Sequence, residues 1–226
     1  MPSDGLLAAS SRADQVGKIK NRYRSDEELH LRDMVERWGR AKWPDARIVH
    51  ELVMGRGEVR CDVALVTPNH IVAVEIKSSH DNVGRLLTQA GTYRLAVPEL
   101  WIVCADRHVR DANLVRYLMP SIGVAVPDTI RDGAMLWRDR DLVELDPAGP
   151  FVPHPEAMLS LLWVEELYAE ATRAGVYQSG RKTRPSHAAL VERMKAFPAD
   201  EITAAVCRQL RGREALWRAD SPVVAS

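Results

Sequence analysis

"VRCDVALVTPNHIVAVEIKSS", residues 59–79, reads as two apolar strands joined at Pro68-Asn69. Asp62, Glu75 and Lys77 interrupt it. A two-residue turn at Pro68-Asn69 sets Asp62 opposite Glu75 and Arg60 opposite Lys77. A four-residue loop gives the same pairing. The other face then receives Cys61, Val63 and Leu65 opposite Ile76, Val74 and Val72, all apolar.

Upstream, residues 46–54 form a strand that turns in "GRGE", 55–58. With Arg56-Gly57 at the tip, Glu51 faces Asp62. Moving the tip to Gly55-Arg56 keeps Glu51 on the same face. Glu51, Asp62 and Glu75 therefore form a row across three strands. Opposed side chains have Cβ atoms ~4.5–5.5 Å apart, where like charges destabilise a sheet. Repulsion in a half-buried row should raise at least one carboxyl pKa. A divalent cation removes that cost: carboxylates hold Mg²⁺ at ~2.0–2.1 Å and leave room for water and phosphate. Zinc does not fit, because no His or Cys is suitably placed. Lys77 lies on the same face, one step along, where an ammonium can steady developing negative charge. Ser78 or Ser79 can cap a following helix, whose amide end would favour an anion. The competing reading is a structural ion cluster of Asp62, Glu75 and Lys77 with Arg60.

The surrounding pattern gives an α/β chain in the order αβββαβαβ, a mixed sheet flanked by helices. Residues 1–24 are polar and form a flexible basic arm. A helix starts at Ser25, where Ser25 and Glu28 make a capping-box pattern, and carries the stripe Leu31, Met34, Val35 and Trp38. A helix over about 80–96, a strand at 100–105, a helix near 110–119, a strand at 122–127 and a hairpin over 134–145 follow. The core thus spans 25–145. "DPAGPFVPHPE", 146–156, is a Pro-rich linker. Residues 157–226 form a helical module, with helices at 156–174, 186–196 and 200–217.

Thirty-one basic and 31 acidic residues cancel, so composition gives no pointer to nucleic acid. Cys61, Cys104 and Cys207 are far apart, which fits a reducing cytoplasm without disulfides. No apolar run approaches the ~20 residues of a membrane span, and the N-terminus lacks the order of a secretory signal. Basic clusters occur at 12–24, 180–184 and 208–218.

Asp62 on one strand and Glu75-Ile76-Lys77 on the next resemble the PD-(D/E)XK nuclease superfamily. "RLLTQAGTY", 85–93, carries Gln89 and Tyr93, which match the QxxxY signature of its RecB-like branch. Cys61 stands where that family often has Pro. The resemblance covers about 26–127 and implies a restriction-endonuclease-like core, αβββαβ, with a C-terminal helical module. The stretch from Glu75 to Ala105 and "LLWVEEL", 161–167, are also similar to a group of small bacterial and phage-borne nuclease-like proteins. The family's first acid usually lies on the opening helix, so Glu27 or Glu28 competes with Glu51 as third acid. A second resemblance, over 167–194, is to SAP-type DNA-binding modules, on Gly175, Gly180, Lys182, Leu190 and Arg193. Five extra residues separate Lys182 from Leu190, and a plain helical cap is the competing reading.

The resemblance implies a DNA nuclease dependent on Mg²⁺ or Mn²⁺, acting in repair, phage or defence biology. The metal would be held by Asp62, Glu75, the Ile76 carbonyl and Glu51. Lys77 would assist the attacking water, with Gln89 and Tyr93 in support. Arg181, Lys182 and Arg184 would contact phosphate. DNA is the expected partner, with RNA, a homodimer and a protein partner left open and no membrane expected. The alternatives are a silent nuclease fold used as a DNA- or protein-binding platform, and a subunit that needs a partner to cut.

Overall fold

A computed structural model describes residues 26–128, 141–178, 184–214 and 218–223. In chain order the elements are α1 (Asp26–Lys42), β1 (Arg47–Met54), β2 (Val59–Val66), β3 (Ile71–Lys77), α2 (Leu86–Ala96), β4 (Glu99–Cys104), α3 (Val109–Leu118), β5 (Gly123–Pro127), β6 (Leu142–Asp146), α4 (Pro155–Leu159), α5 (Val164–Arg173), α6 (His187–Met194) and α7 (Ala199–Gly212). The six strands form one mixed sheet in sequential order. β1, β2 and β3 pair antiparallel, β3, β4 and β5 run parallel, and β6 returns antiparallel. β3 is buried along its whole length, as expected of a strand covered on both faces.

One face packs against α1 through Leu31, Met34, Val35, Ile48, Leu65, Val74 and Trp101. The other carries a larger core shared by α2, α3 and the C-terminal helices, including Leu86, Tyr93, Leu159, Leu167, Leu190 and Val206. The C-terminal helices thus pack into the same apolar cluster as the sheet. The Pro-rich segment is irregular, as its composition requires, but it is tied down. Gly149 N–H donates to Ser121, Phe151 N–H to Pro98 and His154 N–H to Leu95. Residues 218–220 also return to β1: His50 N–H donates to the Arg218 carbonyl and Asp220 N–H to that of Ile48.

The helix expected over 156–174 is two helices, broken at 160–163. Glu166 accepts a hydrogen bond from Trp163 N–H at 2.7 Å and restarts the helix there. Gly175 ends α5 with φ of 72°, the left-handed closure for which glycine carries no Cβ penalty. The Ser25 cap and the first strand of the 134–145 hairpin fall outside the described residues.

Gly123 pairs with Trp101 across β4 and β5. A Cβ there would lie 2.4 Å from the indole, and Trp101 is itself packed edge-on against Trp38. Gly123→Ala should therefore destabilise the fold by about 1–3 kcal/mol through overpacking, measured as a shift in the urea midpoint. An unchanged midpoint would contradict this contact.

Candidate active site

The β2–β3 ladder runs from Val66↔Ile71 to Val63↔Val74 and stops there. This is the register read from the sequence. Beyond it a side chain takes over: Ile76 N–H donates to Asp62 Oδ2 at 2.7 Å. A cleft of about 860 Å³ opens over this gap, lined by residues of α1, β1, β2, β3 and α2.

The β1–β2 register also keeps Glu51 level with Asp62, between His50↔Val63 and Leu52↔Cys61, but this one pair drops out of the ladder. Glu51 has φ of 56°, a left-handed backbone that costs a non-glycine residue about 1–2 kcal/mol. The pleat inverts there. Strict alternation would put Leu52, Met54 and Cys61 on the α1 face with Ile48, Val63 and Leu65. They pack instead in the cluster beneath α2. The expectation that Cys61 shares a face with Val63 and Leu65 is thereby corrected. The acid row is correspondingly split in two.

The first half is built on Arg32, which is 1% exposed. Its Nη2 lies 2.7 Å from Asp62 Oδ1, 2.9 Å from Glu51 Oε1 and 3.1 Å from Glu28 Oε1. Nη1 donates to the Asp62 carbonyl at 2.7 Å and lies 3.5 Å from His50 Nδ1. Arg60, expected as the cation of a structural cluster, stands only at the rim, 3.7 Å from Glu51 Oε2. Burial opposes the charge on Arg32, but Asp62, Glu51 and Glu28 outweigh it and hold the guanidinium above its ordinary range.

The second half is built on Glu75, buried at the end of β3. Lys77 Nζ donates to its Oε1 at 2.7 Å and Gln89 Nε2 to the same oxygen at 2.8 Å. Lys77 also donates to Gln89 Oε1 at 3.2 Å. The Tyr93 hydroxyl lies 2.7 Å from both Glu75 Oε2 and the Arg60 carbonyl, two acceptors for one proton. Gln89 and Tyr93 reach Glu75 together because they stand one turn apart on α2. Asp62 links the halves. Burial and the nearby Glu75 charge raise its carboxyl well above the ordinary range, against the pull of Arg32. Cys61 is buried, and burial with Asp62 and Glu75 pushes its thiol well up, so it is an inert core thiol.

Behind Arg32 stands His50, 3% exposed, with Nε2 3.1 Å from Glu36 Oε1. Burial lowers its pKa despite Glu36. A folded-state value below the unfolded one means that the unfolded chain binds the extra proton. His50 stability is therefore complete above about pH 6.5 and is lost as pH falls below it. Urea midpoints should drop between pH 7 and 5, and His50→Gln should flatten that drop. An identical slope in the variant would contradict the assignment.

The helix expected from residue 80 begins only at Leu86. Asp81 Oδ2 captures Ser78 N–H and hydroxyl at 2.7 and 2.8 Å, and Glu27 captures those of Ser79. The local Asp81 bonds compete with helix formation and the Glu27 bonds from α1 hold Ser79 in place, so α2 does not begin at Ser78 or Ser79. Arg184 pairs with Glu165 at 3.1 Å and lies over the Tyr168 ring. Arg181 and Lys182 lie outside the described residues. Among the described residues, no group of three His, Cys, Asp or Glu side chains is set to hold a metal ion. No helix among them is long and apolar enough to cross a membrane.

The family model described as bacteriophage P4 protein cII matches residues 33–219. The chain belongs to this family. The match runs from within α1 to the segment beyond α7 and takes in the six strands and the C-terminal helices; Glu28 and Arg32 of the cleft precede it. The chain is also similar to a solved protein of unknown function from Silicibacter pomeroyi. Sequence identity is 19% over 67% of this chain and 90% of the other, with a TM-score of 0.43. No curated protein matches.

Proposed function

We propose that this member of the P4 cII family is a metal-dependent DNA nuclease with a restriction-endonuclease-like core, acting in a phage or mobile-element setting. One observation carries the reading. Asp62 and the Glu75-Ile76-Lys77 strand end meet at the floor of one cleft, with Asp62 on the Ile76 amide and Lys77 on Glu75. The Gln89–Tyr93 pair on Glu75 supports it.

The donor set fits a hard cation. At the floor four carboxylates, of Glu28, Glu51, Asp62 and Glu75, face two buried cations, Arg32 and Lys77. With all four ionised the surplus is negative even with Arg60 counted at the rim, and burial with that crowding is what raises the Asp62 carboxyl. Asp62 Oδ2 and Glu75 Oε2 each accept one hydrogen bond and keep a second lone pair, whereas Glu75 Oε1 accepts from both Lys77 and Gln89. Asp62, Glu75 and the Ile76 carbonyl would hold Mg²⁺ or Mn²⁺. Glu51, a ligand expected from the sequence, is turned to Arg32. When bound, such an ion lowers the pKa of a water and polarises the phosphoryl oxygen.

The chain's own residues supply the rest. An ammonium has three donors, so Lys77 can hold Glu75 and Gln89 and still donate to the attacking water or to a phosphoryl oxygen. Gln89 and Tyr93 fix both oxygens of Glu75. Arg32 and the Ile76 amide fix both oxygens of Asp62. Arg60 and Arg85, exposed on the lining, are placed to meet phosphates, which positions a strand without reading its sequence. Labelled single-strand, duplex and flap DNA, with RNA as a control, test the reading and give the substrate class. Cleavage should need Mg²⁺ or Mn²⁺, and a metal-independent or absent reaction on all of them would remove the proposal.

The engagement of Glu28, Glu51 and Asp62 Oδ1 by Arg32 favours one other reading, a silent platform for nucleic acid. It predicts DNA binding untouched by loss of Asp62 and no cleavage under any metal.

A further inference from the structure

We propose that Arg32 is a tethered cation filling one of two cation positions of this centre, so that the native chain has room for a single divalent ion. The inference rests on the nuclease reading for its meaning in catalysis. The geometry behind it stands apart from that reading. Three carboxylate oxygens, from α1, β1 and β2, converge within 3.1 Å of one nitrogen, Arg32 Nη2. The three oxygens come from separate elements and are set around a guanidinium nitrogen, a cation that the chain itself supplies.

Arg32 is also held in place. Its Nε donates to Glu28, its Nη1 grips the Asp62 carbonyl, and its Nη1 side is backed by His50. Neutral His50 can present Nδ1 as an acceptor to Arg32 while Nε2–H donates to Glu36. Arg218 completes the chain on Glu36 at 2.6 Å. A buried guanidinium with this many partners cannot withdraw without leaving several charges stranded. Glu28, Glu51 and Asp62 Oδ1 are therefore committed to Arg32. Asp62 Oδ2, Glu75 and the Ile76 carbonyl remain on the other side. Arg32 is a positioning residue: it acts on the reaction through Asp62, whose carbonyl and carboxylate it clamps together.

Mn²⁺ alone, titrated calorimetrically into the full chain, tests this. Arg32→Ala should bind one more ion per chain than the natural protein, and Arg32→Ala/Glu51→Gln should lose that extra ion. The melting temperature of Arg32→Ala, lowered in EDTA, should rise further with Mn²⁺ than that of the natural chain. If Arg32→Ala is unfolded in EDTA, refolding by Mn²⁺ supports the proposal, because the ion then replaces the guanidinium. The same stoichiometry in Arg32→Ala as in the natural chain overturns it, and so does failure of Arg32→Ala to fold with Mn²⁺ present. The nuclease reading is scored separately, by Mn²⁺ binding to the natural chain and its loss in Glu75→Gln. Absence of that binding would remove the nuclease reading, while an ion gained only by Arg32→Ala would still uphold the role of Arg32.

Discussion

Lys77→Met should lower the rate of Mg²⁺-dependent DNA cleavage by about 10²–10⁴-fold, the range of a positioned proton donor. The substitution keeps the unbranched stem of a side chain that is only 10% exposed and removes the ammonium. Glu75 keeps Gln89 and Tyr93 as donors, so the fold should survive and the loss should appear in kcat rather than in DNA affinity. Lys77→Arg should not restore the rate, because a planar fork cannot stand for a point charge at 2.7 Å from Glu75. Single-turnover rates on a labelled duplex, with melting curves for each variant, decide this. An unchanged rate in Lys77→Met would take Lys77 out of the chemistry.

Arg32→Ala should be the most destabilising single change in the cleft, by about 3–5 kcal/mol, the cost of stranding buried charges by deleting one partner. Asp62, Glu51 and Glu28 are each at most one-quarter exposed and all lose a cation at once. The loss should be non-additive. Adding Glu51→Gln removes one stranded carboxylate and should recover part of it. Denaturant midpoints of the two single variants and the double variant check this. A loss in Arg32→Ala no larger than that of an exposed ion pair, about 0–1 kcal/mol, would contradict the role given to this side chain.

The strand register was legible because Val63, Leu65, Val72 and Val74 leave one apolar solution around Pro68-Asn69. Alternation, however, assumes an unbroken pleat. The left-handed backbone at Glu51 breaks it, and no residue type at that position advertised the break, since glycine would have been the usual mark. Cys61 was misplaced for that reason. Arg32 was invisible for another. It lies beside Leu31 and Val35 on the buried face of α1, where periodicity counts apolar residues and passes over an arginine. The signal was present in its spacing: Glu28 is four residues before it, and a cation on an inward face has to meet acids. The late start of α2 escaped because Ser78, Ser79 and Asp81 can cap a helix or bond locally. Asp81 and the distant Glu27 settle the choice, and only tertiary structure reveals the second of these. Gln89 and Tyr93 came from the QxxxY resemblance, and their four-residue spacing is what brings both to Glu75 from one face of α2.

Nicking of supercoiled plasmid by the natural chain in Mg²⁺ and in EDTA, with Asp62→Asn prepared in parallel, tests the central claim most directly. The account predicts nicking in Mg²⁺ that EDTA and Asp62→Asn both abolish. Equal nicking by the natural chain and Asp62→Asn, or DNA bound tightly and left intact by both, would contradict it.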